Sequence, residues 1–320
     1  MKLKMIYSFL NADINIIEKE LEDTIQAESP LLHEASLSLL QAGGKRLRPV
    51  FVLLGGKFGN YDINNIKNVA VSLELIHMAS LVHDDVIDDA DLRRGQPTIK
   101  SRWDNRIAMY TGDYIFARAL DVLSNINKPI AHQILAHTLV ELCLGEIEQI
   151  EDKFQFNQNL RKYLRRIRRK TAILIAASCQ LGAIAADVED ELHKKLYFIG
   201  YYIGMSYQII DDVLDFVGTE KELGKPAGGD LKQGNITLPV LLAMETPAIK
   251  DNLVKITDHS TEAEIERALE LIKNSDAIDR SLTLSELYLE KALKLIAELP
   301  QNRAKNLLRD IAKTIGKRKF

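Results

Sequence analysis

A chain of 320 residues, 46% hydrophobic and 27% charged, can bury a substantial core. Its 42 lysines and arginines are outnumbered by 45 aspartates and glutamates, for a formal net charge of −3, so the overall electropositive footprint of a nucleic-acid-binding protein is absent. With 17 glycines and 8 prolines it is not a low-complexity chain, and no run approaches the ~20 apolar residues of a membrane span.

The N-terminal stretch MKLKMIYSFLNADINIIEKE reaches acidic residues too soon for a secretory signal, which points to the cytoplasm. Residues then recur at helical spacing, as in the stripe Val69, Ala70, Leu73 and Ile76 continued by His77, Ser80 and Asp84, and again in Ile199, Ile203, Tyr207 and Ile210. Gly and Pro clusters at Gly43-Gly44, Gly55–Gly59, Gly95–Pro97, Lys128-Pro129 and Gly224–Gly234 punctuate these stretches. Alternating strands joined by turn pairs are not seen. The expectation is one all-α domain over residues 1–320. Cys143 and Cys179 form no CxxC pair and sit among apolar neighbours, so both are expected to be buried thiols in a reducing compartment.

The chemistry-bearing residues come in the following order. Gly43-Gly44-Lys45-Arg46-Leu47-Arg48-Pro49 sets three cations beside glycines that allow close backbone approach, a combination suited to phosphate oxygens. His77 lies two helical turns before Asp84-Asp85-Val86-Ile87-Asp88, and Arg93-Arg94-Gly95 follows. A basic run from Arg161 to Lys170 precedes Thr171 and is expected to be mainly a solvated helix face. Gln208 precedes a second acidic cluster, Asp211-Asp212-Val213-Leu214-Asp215, by three residues, and Lys225 comes after it. On a helix, residues i and i+4 share a face, so Asp84 should project with Asp88, and Asp211 with Asp215. Carboxylates this close repel unless a cation intervenes. Mg²⁺, which takes one or two carboxylates, waters and substrate phosphates, is the simplest such cation. Two D-D-x-x-D clusters in apolar helices thus point to metal-diphosphate chemistry.

GGKRLRP, HDDVIDDADLRRG, KT, QIIDDVLDF and LGKPAGGD, in this order, resemble the trans-prenyltransferases, the all-α polyprenyl diphosphate synthases. The resemblance spans essentially the whole chain. QAGGKRLRPVFVLL, RRIRRKTAILIAASCQLGA and the terminal IGKRKF bring it nearer to the catalytic component of two-component heptaprenyl diphosphate synthases. It implies the isoprenoid synthase fold, a single large helical bundle around a central cavity. It also implies head-to-tail condensation of an allylic diphosphate, farnesyl diphosphate for a C35 product, with isopentenyl diphosphate. The menaquinone side chain would be the destination. Three Mg²⁺ ions would be held by Asp84, Asp88 and Asp211, with Asp85, Asp212 and Asp215 as ligands or supporting groups. Arg93, Lys170 and Lys225 would grip the allylic diphosphate, and Lys45, Arg48, His77 and Arg94 that of isopentenyl diphosphate. Thr171 and Gln208 would face the allylic substrate, with the Gln208 carbonyl steadying positive charge. The partner would be a dissimilar second subunit, a second copy, or both. Membrane contact would be peripheral at most.

One departure from the family pattern is Asn235 in Gly234-Asn235-Ile236-Thr237-Leu238-Pro239, where many short-chain relatives have lysine; Lys232 is a candidate substitute. Short-chain relatives also place bulky aromatics one turn before the first cluster. Here Ala79 and Ser80 stand there, which implies a long product, since one helical turn of ~5.4 Å is close to one isoprene unit. Competing readings are a homodimeric synthase of another product length, a terpene cyclase, a non-catalytic regulatory subunit, and an HD-type phosphohydrolase reading His83-Asp84 as its motif. Glu146, Glu148 and Gln149 fit either a cavity lining or a structural role.

Overall fold

The computed structural model describes residues 7–218 and 227–316. After a 3₁₀ turn at Tyr7–Phe9 come helices α1 (Asn11–Thr24), α2 (Pro30–Gln41), α3 (Leu47–Gly56) and α4 (Ile63–Ile87). A two-residue ladder, β1 (Leu92–Arg93) and β2 (Gln96–Pro97), precedes α5 (Ile99–Arg102), α6 (Asn105–Ser124), α7 (Pro129–Glu151) and α8 (Leu160–Ile167). A π-helical turn, Arg168–Ala172, leads into α9 (Ile173–Ala185) and α10 (Asp190–Val217). Helices α11 (Gly229–Lys232), α12 (Leu238–Ala243), α13 (Pro247–Leu253), α14 (Glu262–Lys273), α15 (Ala277–Glu298) and α16 (Arg303–Gly316) complete the chain. Among the described residues, no helix is long and apolar enough to cross a membrane.

Local chemistry fixes many of the helix starts. Ser29 accepts from the backbone N–H of Leu32, and Pro30 opens α2. Asp62 and Asp104 cap α4 and α6 in the same way, and Thr261 with Glu264 forms a capping box on α14. The all-helical expectation misses the β1–β2 hairpin. Its two-residue loop, Arg94-Gly95, has positive φ at both positions (54° and 74°). An Arg-Gly pair is a weaker turn signal than Asn-Gly.

The chain divides into two compact units. One comprises Met1–Leu135, Ala177–Tyr197 and Pro300–Leu307. Its α4 packs against α1, α3 and α6, and Ser72 Oγ donates to the Ala119 carbonyl at 3.0 Å. Phe51, Leu53, Leu54, Ile66, Leu73 and Leu75 are fully buried in this unit. The other comprises Ala136–Ala176, Phe198–Leu299 and Leu308–Phe320. Tyr163, Met205, Ile209, Phe216, Leu231 and Ile236 are in its core, and α12 packs on α15 and α14. Four of the unit boundaries fall inside α7, α9, α10 and α16. No linker composition marks them, which is why the sequence reads as one domain.

Cys179 is buried, and burial pushes its thiol well up. Cys143 corrects the expectation: it is exposed. Its apolar neighbours Val140 (57%), Leu144 (44%), Ile147 (54%) and Ile150 (44%) are exposed as well. Together they form a stripe at helical spacing along one face of α7. The residues that seemed to bury the thiol share its exposure.

Candidate active site

In the first unit, the D-D-x-x-D motif occupies the last turn of α4, with Asp88 as the C-cap residue. Asp84 and Asp88 are half-buried, whereas Asp85 is buried. Arg93 holds Asp85, its Nε lying 2.8 Å and 3.0 Å from the two carboxylate oxygens and its Nη2 2.7 Å from Oδ1. Burial raises the Asp85 pKa above the usual carboxylate value, and Arg93 opposes the rise.

Seven residues earlier on α4 lies His77, where protonation is disfavoured. Burial lowers its pKa well below the usual 6.5, and the charges of Arg48, Arg94, Arg93 and Arg46 lower it further. The GGKRLRP segment and the β1–β2 hairpin thus bring four arginines near one imidazole. Gly44 makes room for this arrangement: a Cβ there would sit 2.9 Å from Arg94 Nη1 and 3.2 Å from Arg46 Nη1. Lys45 is exposed and Arg48 half-buried. Arg46, read from sequence as one of three phosphate donors, has a structural role instead. It adopts a left-handed backbone (φ 47°) and binds Glu18 at 2.5 Å, Glu74 at 3.2 Å and the Leu40 carbonyl at 3.2 Å. Glu18 and Glu74 carry no sequence signal for this role, since each lies 28 residues from Arg46.

One turn before Asp84, Ser80 is half-buried and its hydroxyl donates to the His77 carbonyl at 2.9 Å. Ala79 is buried. His83 lies 3.3 Å from Asp113 Oδ1 and 3.4 Å from the Met109 carbonyl, contacts that tie it to α6.

In the second unit, the other motif lies in the last two turns of α10. The i, i+4 rule predicted that Asp211 and Asp215 would project together. Asp211 is half-buried, but Asp215 is buried. Gly228 and the start of α11 lie over it: the Asp230 N–H donates to Asp215 Oδ2 at 2.9 Å, and the Gly228 N–H donates to the Asp215 carbonyl at 2.6 Å.

Asp212 is also buried. It accepts from the Tyr163 hydroxyl at 2.7 Å and from Gln208 Nε2 at 2.8 Å. Gln208 Oε1 in turn accepts from the Thr171 hydroxyl at 2.6 Å. Burial pushes Asp212 up to about 7, against the pull of Gln208, Tyr163 and Arg166. Sequence reasoning missed Tyr163, a core tyrosine inside a basic run. Thr171 and Gln208, both expected near the allylic substrate, are brought together.

The basic run is not the solvated face that composition predicts. Arg169 binds Glu148 at 2.6 Å and Glu141 at 3.2 Å, and Lys170 binds Glu146 at 3.0 Å. Arg168 also pairs with Glu141, Arg165 binds Glu148 at 3.0 Å, and Arg166 reaches Asp152 at 3.5 Å. The acidic residues of α7 and Asp152 just after it thus form an ion-pair ladder with the run, and Lys170-Thr171 lies within a π-helical turn, a feature frequent at functional sites. Lys232 is exposed and 3.4 Å from an exposed Glu262, a pair of little energetic weight. Lys225 and residues 317–320 lie outside the described residues.

Among the described residues, no three carboxylates, imidazoles or thiols form a ready-made metal cage. Asp84, Asp88 and Asp211 nonetheless offer hard oxygen donors on partly open helix faces. In each unit taken by itself, such carboxylates are of the kind Mg²⁺ takes, its shell being completed by waters and phosphate oxygens.

A chain built almost wholly of helices, two of them ending in aspartate clusters, defines the isoprenoid synthase class of all-α fold. Residues 29–272 match the family described as polyprenyl synthetase, and the chain belongs to that family. It is 64% identical over 320 residues to heptaprenyl diphosphate synthase component 2 of Bacillus subtilis (strain 168), covering 100% of this chain and 92% of that one. Against the protein of the same name from Geobacillus stearothermophilus it is 60% identical over 320 residues, covering 100% of both. Among solved structures, heptaprenyl diphosphate synthase from Staphylococcus aureus is similar with a TM-score of 0.93 at 46% identity, over 96% of this chain and 98% of that one. Polyprenyl synthase from Caulobacter crescentus, solved with calcium and isoprenyl diphosphate, gives 0.94 at 32% identity, over 99% and 98%.

Proposed function

We propose that this chain is the catalytic component of a two-component synthase that extends an allylic diphosphate with isopentenyl diphosphate units to heptaprenyl (C35) diphosphate. The observation that carries the synthase reading is the gathering of the basic GGKRLRP segment and the hairpin arginine Arg94, packed against Gly44, beside His77. A cyclase has a single diphosphate to hold, and the aspartate motifs with their metal serve it. A synthase needs a second anion site that works without metal, and arginines with a non-competing imidazole supply one. The contacts of His83 with Asp113 and Met109 speak against an HD hydrolase.

Asp84, Asp88 and Asp211 would hold Mg²⁺, with Asp85, Asp212 and Asp215 supporting them. When bound, the metal supplies Lewis acidity that neutralises charge on the departing diphosphate. Arg93, Lys170 and Lys225 orient that diphosphate, while Lys45, Arg48, Arg94 and His77 orient isopentenyl diphosphate. The oxygens of Gln208 and Thr171 face the developing allylic cation. The released diphosphate takes the proton, so no side chain need act as base. Ala79 and Ser80 leave space for a long product, which would serve as the menaquinone side chain. The chain acts in the cytoplasm.

Support for a dissimilar subunit comes from the names of the Bacillus subtilis and Geobacillus stearothermophilus relatives and from the exposed apolar stripe on α7, a surface expected to be covered by a partner. The deciding experiment incubates purified chain with Mg²⁺, farnesyl diphosphate and labelled isopentenyl diphosphate, with and without the candidate subunit. A C35 product that depends on the subunit is expected. No prenyl product in either arm overturns the reading.

A further inference from the structure

We propose that Tyr163 is a positioning residue for prenyl transfer: acting through Asp212, it fixes the side-chain amide of Gln208 with its oxygen turned to Thr171. The inference rests on the prenyltransferase reading above and deepens it. Tyr163 is fully buried, with its ring in the core of the second unit. Its hydroxyl reaches Asp212 Oδ2 at 2.7 Å, and Gln208 Nε2 reaches Asp212 Oδ1 at 2.8 Å.

The direction of these bonds sets the polarity of the whole chain. Asp212 accepts at both oxygens, from the Tyr163 hydroxyl at Oδ2 and from Gln208 at Oδ1, so the amide presents its NH₂ to Asp212. Its oxygen then faces the other way, where it accepts the Thr171 hydroxyl proton at 2.6 Å. With that proton committed, the capacity left on Thr171 Oγ1 and Gln208 Oε1 is lone pairs, the polarity that favours a developing cation. A flipped amide would set its oxygen against the carboxylate.

Asp212 can hold this orientation only if it is itself held, and Tyr163 is its other donor. The tyrosine is braced in turn. Arg166 lies 5.9 Å from the ring centroid, and it donates to the Ile236 carbonyl at 2.5 Å and to Gln158 Oε1 at 2.8 Å. Phenylalanine would fill nearly the same core volume but leave the buried Asp212 carboxylate without its hydroxyl donor. The pair therefore serves orientation rather than packing.

The test is a double-mutant cycle with Tyr163→Phe and Gln208→Ala, in the full chain with its partner subunit, Mg²⁺, farnesyl diphosphate and labelled isopentenyl diphosphate. Melting temperatures confirm folding. Tyr163→Phe should lower kcat on the order of tenfold to a hundredfold, with KM for both diphosphates shifted no more than about twofold. In the Gln208→Ala background it should have no further effect, because residues acting as one unit are not additive. Effects that multiply, or a loss confined to KM, overturn the inference. If Tyr163→Phe does not fold, the same cycle between Asp212→Asn and Gln208→Ala decides, and independence there overturns it equally. An inactive wild-type complex overturns the prenyltransferase reading and this inference with it. An active wild type with multiplicative effects removes this inference alone.

Discussion

At His77 an imidazole sits near four arginines, and the consequence can be followed by pH. Its folded pKa is lowered below 6.5, first by burial and then by those charges. The stability it contributes is therefore fully present above 6.5. It is lost as pH falls below that value, because the unfolded chain takes up a proton that the folded site refuses. His77→Gln should flatten this acid-side loss in denaturant titrations. Adding inorganic pyrophosphate should raise the His77 ring titration in NMR, since a bound anion offsets the arginines. An unmoved titration would place the anion elsewhere. The aspartates divide differently. Asp84→Asn and Asp211→Asn should each lower kcat on the order of 10²–10³-fold with little change in melting temperature. Asp215→Asn, which weakens the acceptor for the Asp230 N–H, should chiefly destabilise the fold, by about 1–3 kcal/mol in denaturant titrations. Both motifs were legible as acidic clusters in apolar helices. Which acid faces outward was not, because Asp215 is covered by residues 228–230 and Asp212 by Tyr163, and helical periodicity knows neither.

Among the elements, the π-helical turn Arg168–Ala172 is tightly bounded. A Cβ on Gly204 would come 2.6 Å from Ala172 Cα, a backbone atom that cannot step aside. Gly204→Ala should therefore cost about 1–3 kcal/mol by overpacking, read as a fall in melting temperature. A comparable loss in kcat would show that the turn positions Lys170 and Thr171. On α4, Ser80→Phe is a cleaner product-length test than Ala79→Tyr, since Ser80 is half-buried and Ala79 is 1% exposed. Ser80→Phe should shorten the product on chromatography without loss of melting temperature. An unchanged length would remove the residue from the path of the chain. Apolar spacing gave the existence of α4 and α10 clearly, since both are long and strongly periodic. The π turn left no trace because Arg-Arg-Lys-Thr-Ala is ordinary helix composition. The ion-pair ladder was hidden because its acids, on α7 and at Asp152 just beyond it, lie at least ten residues from the bases they meet.

For the molecule as a whole, the stripe on α7 is the surface that solvent alone does not explain. Val140→Glu together with Leu144→Lys should abolish co-elution with the second subunit on size exclusion while leaving the helical circular dichroism unchanged. Persistent co-elution would move the interface off α7. The stripe also misled sequence reasoning most clearly, because apolar residues at helical spacing read the same whether the fold buries them or leaves them exposed. The same feature makes Cys143 a natural probe of assembly. Of the two thiols, Cys179 is sealed in the interior, so a maleimide dye added to the native chain should report on Cys143 alone. Its labelling rate should drop when the second subunit docks, and the recovery of that rate on dilution would time the dissociation of the complex without an engineered tag.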